Sequence, residues 1–291
     1  MLQRTPVFDI CTLSDFKEDD ILISRFAPYL SHHKNLSAAH RHTFYHLVLF
    51  TDGGGSHAID FEDFTVQPWQ LYFMIPGQVH SWSFEGFTDG YIINFSISFF
   101  QSFLLNALYP ESFTFFRGDV KQSVIDLPAA LHPEIKNLFE EIIGEYEQKS
   151  KLGTDMLRVL ILRLFIMVGR LNEAGINKGP ASYNQTLLAN FQKLIGEHYT
   201  RLKLPKDYAD LLYITPNHLN AICKDLLGIP AGEVIRNRTI LEAKRLLTNP
   251  KLTITEIAYS LNFNDNSYFT KFFKKFEGKT PEEFRKNILN Q

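Results

Sequence analysis

The sequence predicts an α+β protein in two parts: an N-terminal β-sandwich or barrel carrying two helices, and a C-terminal all-α domain holding two helix-turn-helix motifs. Three observations lead there. Residues 5–97 break into short runs rich in Phe, Tyr, Val and Ile, separated by turn residues. From Pro133 the apolar spacing changes to three and four. The last hundred or so residues repeat themselves at an interval of 50.

The chain has 291 residues, a length that fits two domains. Its 45% hydrophobic and 21% charged residues exclude a disordered or collagen-like chain. No apolar run reaches the roughly 18–20 residues that span a bilayer, so no membrane partner is expected. The N-terminus lacks the apolar core of a signal peptide, and Cys11 and Cys223 offer no disulfide framework. A cytoplasmic protein is the expectation. Charge is unevenly spread. Residues 1–182 carry 14 Lys and Arg against 21 Asp and Glu, net −7, while residues 183–291 carry 16 against 11, net +5. A basic C-terminal unit is the usual footprint of a polyanion binder.

The strand-type runs are HTFYHLVLF, EDFTVQPWQLYFMI and HSWSFEGFTDGYIINFSI, with turns expected at Asp52-Gly53-Gly54-Gly55, Pro76-Gly77 and Asp89-Gly90. Residues 98–108 suggest a short helix. A first long helix follows Pro133, with Leu131, Ile135, Leu138, Phe139, Ile142 and Tyr146 on one face. A second follows Gly153, where Leu157, Leu164 and Leu171 are spaced by seven with Ile161 and Val168 between them. That seam either packs onto the barrel or joins two chains. Arg158, Arg163 and Arg170 on the other faces favour a homodimer. Residues 1–171 thus read as one domain, 172–185 as a polar linker, and 186–291 as the second domain.

Shifted by 50, the second domain overlays on itself: Leu204 on Ile254, Leu211 on Leu261, Tyr213 on Phe263, Leu219 on Phe269, Ile222 on Phe272, Lys224 on Lys274 and Gly228 on Gly278. Each copy reads as helix, tight turn, helix. Thr215 with Pro216 opens the second helix of copy one. In copy two, Thr253 and Glu256 have capping-box spacing, and Asn264 or Asp265 caps the last long helix. VIRNRTILEAKRLLT, residues 234–248, links the copies. In copy one Leu219, Ile222 and Cys223 face inward, and Asn217, His218, Asn220, Ala221 and Lys224 face outward. In copy two Tyr268, Phe269, Phe272 and Phe273 face inward, and Asn266, Ser267, Thr270, Lys271, Lys274 and Lys275 outward. Asn pairs with adenine, Lys reaches guanine or phosphate, and Thr packs on a thymine methyl, so double-stranded DNA is the expected partner.

These motifs resemble the AraC/XylS family of bacterial transcription regulators. The resemblance rests on Ile235, Arg238, Ala243 and Leu246-Leu247, then Ile254, Ile257-Ala258, Leu261 and Phe263, then Tyr268-Phe269, Phe272-Phe273-Lys274, Gly278, Thr280-Pro281 and Phe284-Arg285. It implies two recognition helices in successive major grooves, with Asn217, Asn220, Ala221, Asn266, Ser267, Thr270 and Lys271 as base-facing positions. Ala221 departs from members with a long polar residue there, and Cys223 stands where Phe is usual. The front half is similar to the family's sugar-binding regulators with a cupin-like barrel, through His40 to His46, Gly53 and Pro76 to His80. Cupin enzymes hold a metal with His-x-His, a Glu four residues on and a distant His; here His46 replaces the Glu.

Strand parity places His40, His42 and His46 on one face, where they would meet His80. Three readings of this cluster stay open. With Phe44, Tyr72 and Trp82 it forms a pocket for an organic effector, sugar-like or carboxylate; it holds zinc, nickel or a related ion; or it is hydrogen-bonded core. The first is the working expectation, with no cofactor. The function implied is a ligand-responsive transcription regulator that contacts RNA polymerase if it activates. The alternative is a cupin-type metalloenzyme with an appended DNA-binding module.

Overall fold

The computed structural model describes residues 7–8, 20–33, 39–100, 103–104, 109–173 and 183–289. Contacts divide the chain between Asn177 and Lys178 into two compact units. The N-terminal unit contains β1 (Val7–Phe8), β2 (Ile21–Arg25), α1 (Phe26–His32), β3 (His40–His42), β4 (Tyr45–Asp52), β5 (Gly55–Ile59), β6 (Glu62–Thr65), β7 (Gln70–Met74), β8 (Val79–Phe84), β9 (Asp89–Phe95), β10 (Val124–Asp126), α2 (His132–Gln148) and α3 (Gly153–Glu173). Its strands form two five-stranded sheets, ordered β1-β3-β8-β5-β6 and β10-β7-β4-β9-β2. The sheets lie face to face as a sandwich and share no strand, so the expected barrel is open.

The run HTFYHLVLF is two strands, not one. β3 ends at His42 and joins the first sheet, whereas β4 starts at Tyr45 and joins the second. Asp89-Gly90, expected as a turn, begins β9. Gly90 is needed there because a Cβ would lie 1.9 Å from the Leu49 carbonyl oxygen on the neighbouring strand. Residues 98–100 and 103 form turns in place of the expected helix and Leu104 is irregular; residues 101–102 and 105–108 lie outside the described ones.

The second sheet is covered on both faces. Leu47, Leu49, Leu71, Phe73, Tyr91 and Ile93 point to α2 and α3, joining Ile135, Leu138, Phe139, Leu157, Ile161, Leu164, Phe165 and Val168 in one core. Val48, Phe50, Tyr72, Met74 and Ile92 point the other way, to Ile59 and Trp82 of the first sheet. The seam of α3 is therefore filled by the protein's own sheet. Leu157 and Leu164 are buried within the chain, and Leu171 packs at the edge of the same core. They do not form the dimer contact that the seven-residue spacing suggested.

The C-terminal unit is helical throughout: α4 (Tyr183–His198), α5 (Pro205–Leu211), α6 (Pro216–Leu227), α7 (Ala231–Leu247), α8 (Ile254–Ser260), α9 (Asn266–Glu277) and α10 (Pro281–Leu289). Of the expected linker 172–185, residues 172–173 end α3 and 183–185 open α4; the rest lies outside the described residues. α7 joins two cores. Its first half gives Ala231 and Ile235 to the core of α4, α5 and α6, and its second half gives Ile240, Ala243 and Leu247 to the core of α8, α9 and α10. No helix among the described residues is long and apolar enough to cross a membrane.

The burial of Leu164 gives a direct test. Leu164→Ala should destabilise the N-terminal unit by about 2–5 kcal/mol, read by thermal or denaturant unfolding, without changing the oligomeric state. A dissociated but equally stable variant would return the residue to an interface.

Candidate functional site

Two arrangements stand out, one in each unit. The first lies between the sheets. His40 and His42 come from β3, His57 from β5, His80 from β8 and His46 from β4, and all five are buried. His40, His42, His57 and His80 share the inner face of one sheet, and His46 meets them from the other because β3 and β4 belong to opposing sheets. Register fixes the neighbours: His40 pairs with His80 and His46 with Asn94 across adjacent strands. The His42 and His80 Nε2 atoms are 2.8 Å apart, and His57 Nε2 lies 3.1 Å from His80 Nδ1. His46 Nδ1–H donates to the Asn94 amide oxygen at 2.6 Å. Ligand-capable atoms of His40, His42 and His80 all lie within 4.8 Å of one another.

The expected aromatic companions are present. Phe44 lies 4.4 Å from the His42 ring, Trp82 5.0 Å from His80, and Tyr72 4.8 Å from His57, centre to centre. The Tyr72 hydroxyl donates to Gln70 at 2.8 Å. His57 and Asn94 were not among the sequence candidates. His57 sits two positions before buried Ile59, and Asn94 shares the parity of Ile92 inside an apolar strand; a polar residue on an inward row was the available signal.

Burial keeps His42, His46, His57 and His80 neutral. Removal from water drives His42, His57 and His80 well below the ordinary imidazole value, with the neighbouring imidazoles adding to the shift. For His46 burial lowers the pKa to about 3, although its bond to Asn94 acts in the opposite direction. Neutral imidazoles can donate and accept hydrogen bonds or ligate a metal. Among the described residues, His42 Nδ1, His46 Nε2 and His57 Nδ1 find no hydrogen-bond partner, and neither does Trp82 Nε1.

The second arrangement is the pair of outer helices α6 and α9. Thr215 caps α6 by accepting from His218 N at 3.2 Å, and Asp265 caps α9 by accepting from Tyr268 N at 2.7 Å. Both helices end at a glycine in the left-handed region, Gly228 and Gly278. The repeat interval changes within each copy. The second helices match at 50, but α5 and α8 match at 49: Ala209 with Ala258, Leu212 with Leu261, Ile214 with Phe263, and the positive-φ residues Tyr213 and Asn262. The turn of copy two is one residue longer, so the pairings Leu204–Ile254, Leu211–Leu261 and Tyr213–Phe263 are each off by one.

Asn217, His218, Ala221 and Lys224 are exposed on α6, and Asn266, Ser267, Lys271, Lys274 and Lys275 on α9. Thr270 is half-buried and its hydroxyl reaches Asn266 at 3.4 Å. Asn220 is not a free outward residue. Its amide oxygen accepts from Ala231 N at 3.0 Å, capping α7. Tyr268, expected inside, is 61% exposed at the position matching His218. Phe272 is half-buried, while Phe269 and Phe273 are core. Cys223 is buried where Phe273 stands in copy two, and burial raises its thiol pKa to about 11.

A β-sandwich with a polar interior and a separate duplicated helix-turn-helix unit define a two-domain ligand-and-DNA architecture. Residues 25–166 match the AraC-like ligand binding domain and residues 208–287 match a helix-turn-helix domain. The chain belongs to the AraC family. It is 28% identical over 172 residues to the Msm operon regulatory protein of Streptococcus mutans, covering 53% of this chain and 62% of that one. It is 21% identical over 255 residues to the transcriptional activator RhaR of Escherichia coli O1:K1, covering 87% and 88% of the two chains. The solved C-terminal domain of the response regulator yesN from Fusobacterium nucleatum is 30% identical, with 33% of this chain and 93% of that chain covered and a TM-score of 0.31. The chain spans less than two thirds of the length of the first curated relatives it matches.

The neutral His46 sets an acid limit on stability. Unfolding restores His46 from about 3 to its ordinary 6.5, so between those values the unfolded chain binds the extra proton. Above pH 6.5 this group imposes no penalty. As pH falls from 6.5 toward 3 the N-terminal unit should lose stability progressively, read as a falling melting temperature. A flat profile across that window would show that the imidazoles are solvated.

Proposed function

We propose that this chain is a sequence-specific DNA-binding transcription regulator whose action on DNA responds to a small effector held between the sheets of the N-terminal unit. The observation carrying this reading is the duplicated helix-turn-helix with two exposed, polar and cationic helix faces on a basic unit. α6 and α9 enter successive major grooves. Asn217, His218 and Ala221 read bases from α6, with Ala221 limited to a methyl contact. Asn266, Ser267, Thr270 and Lys271 read from α9, with Tyr268 beside them. Lys224, Lys274 and Lys275 neutralise phosphates. Asn220 serves as the cap of α7 and is removed from the base-reading set.

The effector lies among His40, His42, His46, His57 and His80, with Phe44, Tyr72 and Trp82 around it. Regulation requires that it bind two states of the chain unequally. Two chains acting together gain affinity by effective concentration. With the α3 seam buried, the homodimer contact moves to the solvent side of that helix, where Met156, Val159 and Ile166 are 47%, 49% and 37% exposed. If the regulator activates, RNA polymerase is a further partner. The chemistry is recognition, not turnover.

In a binding assay on selected operator sequences, Lys271→Ala should cost about 1–3 kcal/mol and relax specificity at one base pair. Lys274→Ala should weaken all sequences alike and lower the salt slope by about one. Absence of any sequence preference in a random-site selection would defeat the reading. Val159→Glu combined with Ile166→Glu should give folded monomers in light scattering. An unchanged dimer would place the contact elsewhere.

A further inference from the structure

The histidine cluster is arranged in a way that hydrogen bonding to an organic ligand does not require. His42 and His80 turn their Nε2 atoms toward one another at 2.8 Å, where two neutral rings can share only one proton. Behind His80, His57 Nε2 lies 3.1 Å from Nδ1. A proton on His80 Nδ1 donated to His57 leaves the His80 Nε2 lone pair facing the cluster. Asn94 does the same for His46: its oxygen takes the Nδ1 proton, and the His46 Nε2 lone pair has no partner among the described residues. The His46 ring lies 4.8 Å from that of His42 and 5.2 Å from that of His80. Two imidazoles are thus each fixed by a bond at the far nitrogen, the condition that orients histidine as a metal ligand.

We propose that the sandwich interior binds one divalent transition-metal ion through His40, His42 and His80, with His46 as the fourth donor and His57 orienting His80. The proposal rests on the reading of this interior as a ligand site, and it names the ligand's class. The spacing fits. Four nitrogens at about 2.0–2.1 Å from zinc are roughly 3.4 Å apart. The ligand atoms of His40, His42 and His80 lie within 4.8 Å of one another, so the ion asks for shifts of about an ångström or less. The donor set consists of imidazoles without a carboxylate, which suits zinc, nickel, cobalt or copper and disfavours calcium and magnesium.

The test uses the full-length chain, produced without a polyhistidine tag, stripped with EDTA and dialysed against Zn²⁺ or Co²⁺. The expected result is one ion per chain, a visible ligand-field spectrum with Co²⁺, and a rise in melting temperature that EDTA reverses. His42→Asn and His80→Asn should weaken binding by more than about 100-fold, and His57→Asn by about 10–100-fold at unchanged stoichiometry. Circular dichroism establishes that each variant is folded. Failure of the wild-type chain to take up either ion overturns the proposal, whatever the variants do. So does undiminished binding by folded His42→Asn and His80→Asn. The underlying reading fails separately. If Zn²⁺ binds at one per chain but no effector, Zn²⁺ included, changes DNA affinity, the metal site stands and effector control is lost. If neither ion binds while a sugar or sugar acid raises the melting temperature in EDTA, the interior is an organic pocket and the metal proposal is wrong.

Discussion

The N-terminal unit depends on the burial of one sheet from both sides. β4 is central in that sheet and its residues alternate without exception from Leu47 to Phe50. Leu47 and Leu49 enter the helix-side core, while Val48 and Phe50 enter the core between the sheets. Each such side chain stabilises the fold by about 1.5–3 kcal/mol, and a slip of one residue would exchange the two rows. The same constraint decides the fate of α3. A helix with a broad apolar face beside an uncovered sheet packs on that sheet, because the intramolecular contact needs no second chain. The seven-residue spacing of Leu157, Leu164 and Leu171 was a true description of one face of the helix. What covers that face is set by the sheet.

Register also carries the polar cluster. His46 begins the inward row of β4 and lies opposite Asn94 on β9. His40 lies opposite His80 on the facing sheet. The bond between His46 and Asn94 therefore follows from strand pairing that apolar neighbours have already fixed. In the C-terminal unit α7 has the corresponding part. It shares one rod between two cores, and a cation reinforces the junction. Lys203 donates to the Tyr199 carbonyl at 2.7 Å and to the Leu261 carbonyl at 3.2 Å, linking the end of α4 to the end of α8. Burial lowers its pKa to about 8. The spacing of the two outer helices is thus set by contacts remote from their exposed faces.

Much of this was legible because it depended on local chemistry. The caps Thr215, Thr253 with Glu256 and Asp265, and the closing glycines Gly228 and Gly278, are decided by a few adjacent residues. The strand runs and helix period were readable for the same reason. Errors arose where a distant element decides. Asn220 looked exposed by helical phase, but the N-terminus of α7, eleven residues on, supplies a buried N–H to it. Tyr268 looked apolar enough to be core, yet α9 fills that core with Phe269 and Phe273. Strand parity and the pairing of β3 with β8 bring His40, His42 and His80 together. Parity does not account for His46, which lies on the opposing sheet; a change of sheet at Thr43-Phe44 turns it toward the other three. His57 stands on β5, and its neighbour His80 comes from the pairing of β5 with β8, a contact between residues 23 apart that local sequence does not show.

The interior cluster is where this chain departs from what stability alone would choose. Five buried imidazoles occupy positions that Val, Leu or Phe would fill without polar atoms to satisfy. His42 Nδ1, His46 Nε2 and His57 Nδ1 are left without partners among the described residues, and a buried unsatisfied group costs about 1–3 kcal/mol. Sequences depart from local consistency in this way mainly at functional sites. The departure also supplies the link from ligand to fold. A species that satisfies those nitrogens removes a cost present only in the folded, ligand-free unit, so it stabilises that unit beyond its own contacts. Because the cluster joins β3, β5 and β8 of one sheet to β4 and β9 of the other, the same species tightens the two sheets against each other. Of the strands that bear it, β4 and β9 are the ones whose far faces hold α2 and α3. A change in sheet packing therefore reaches the helical layer through Leu47, Leu49 and Ile93, side chains already fixed in a close-packed core.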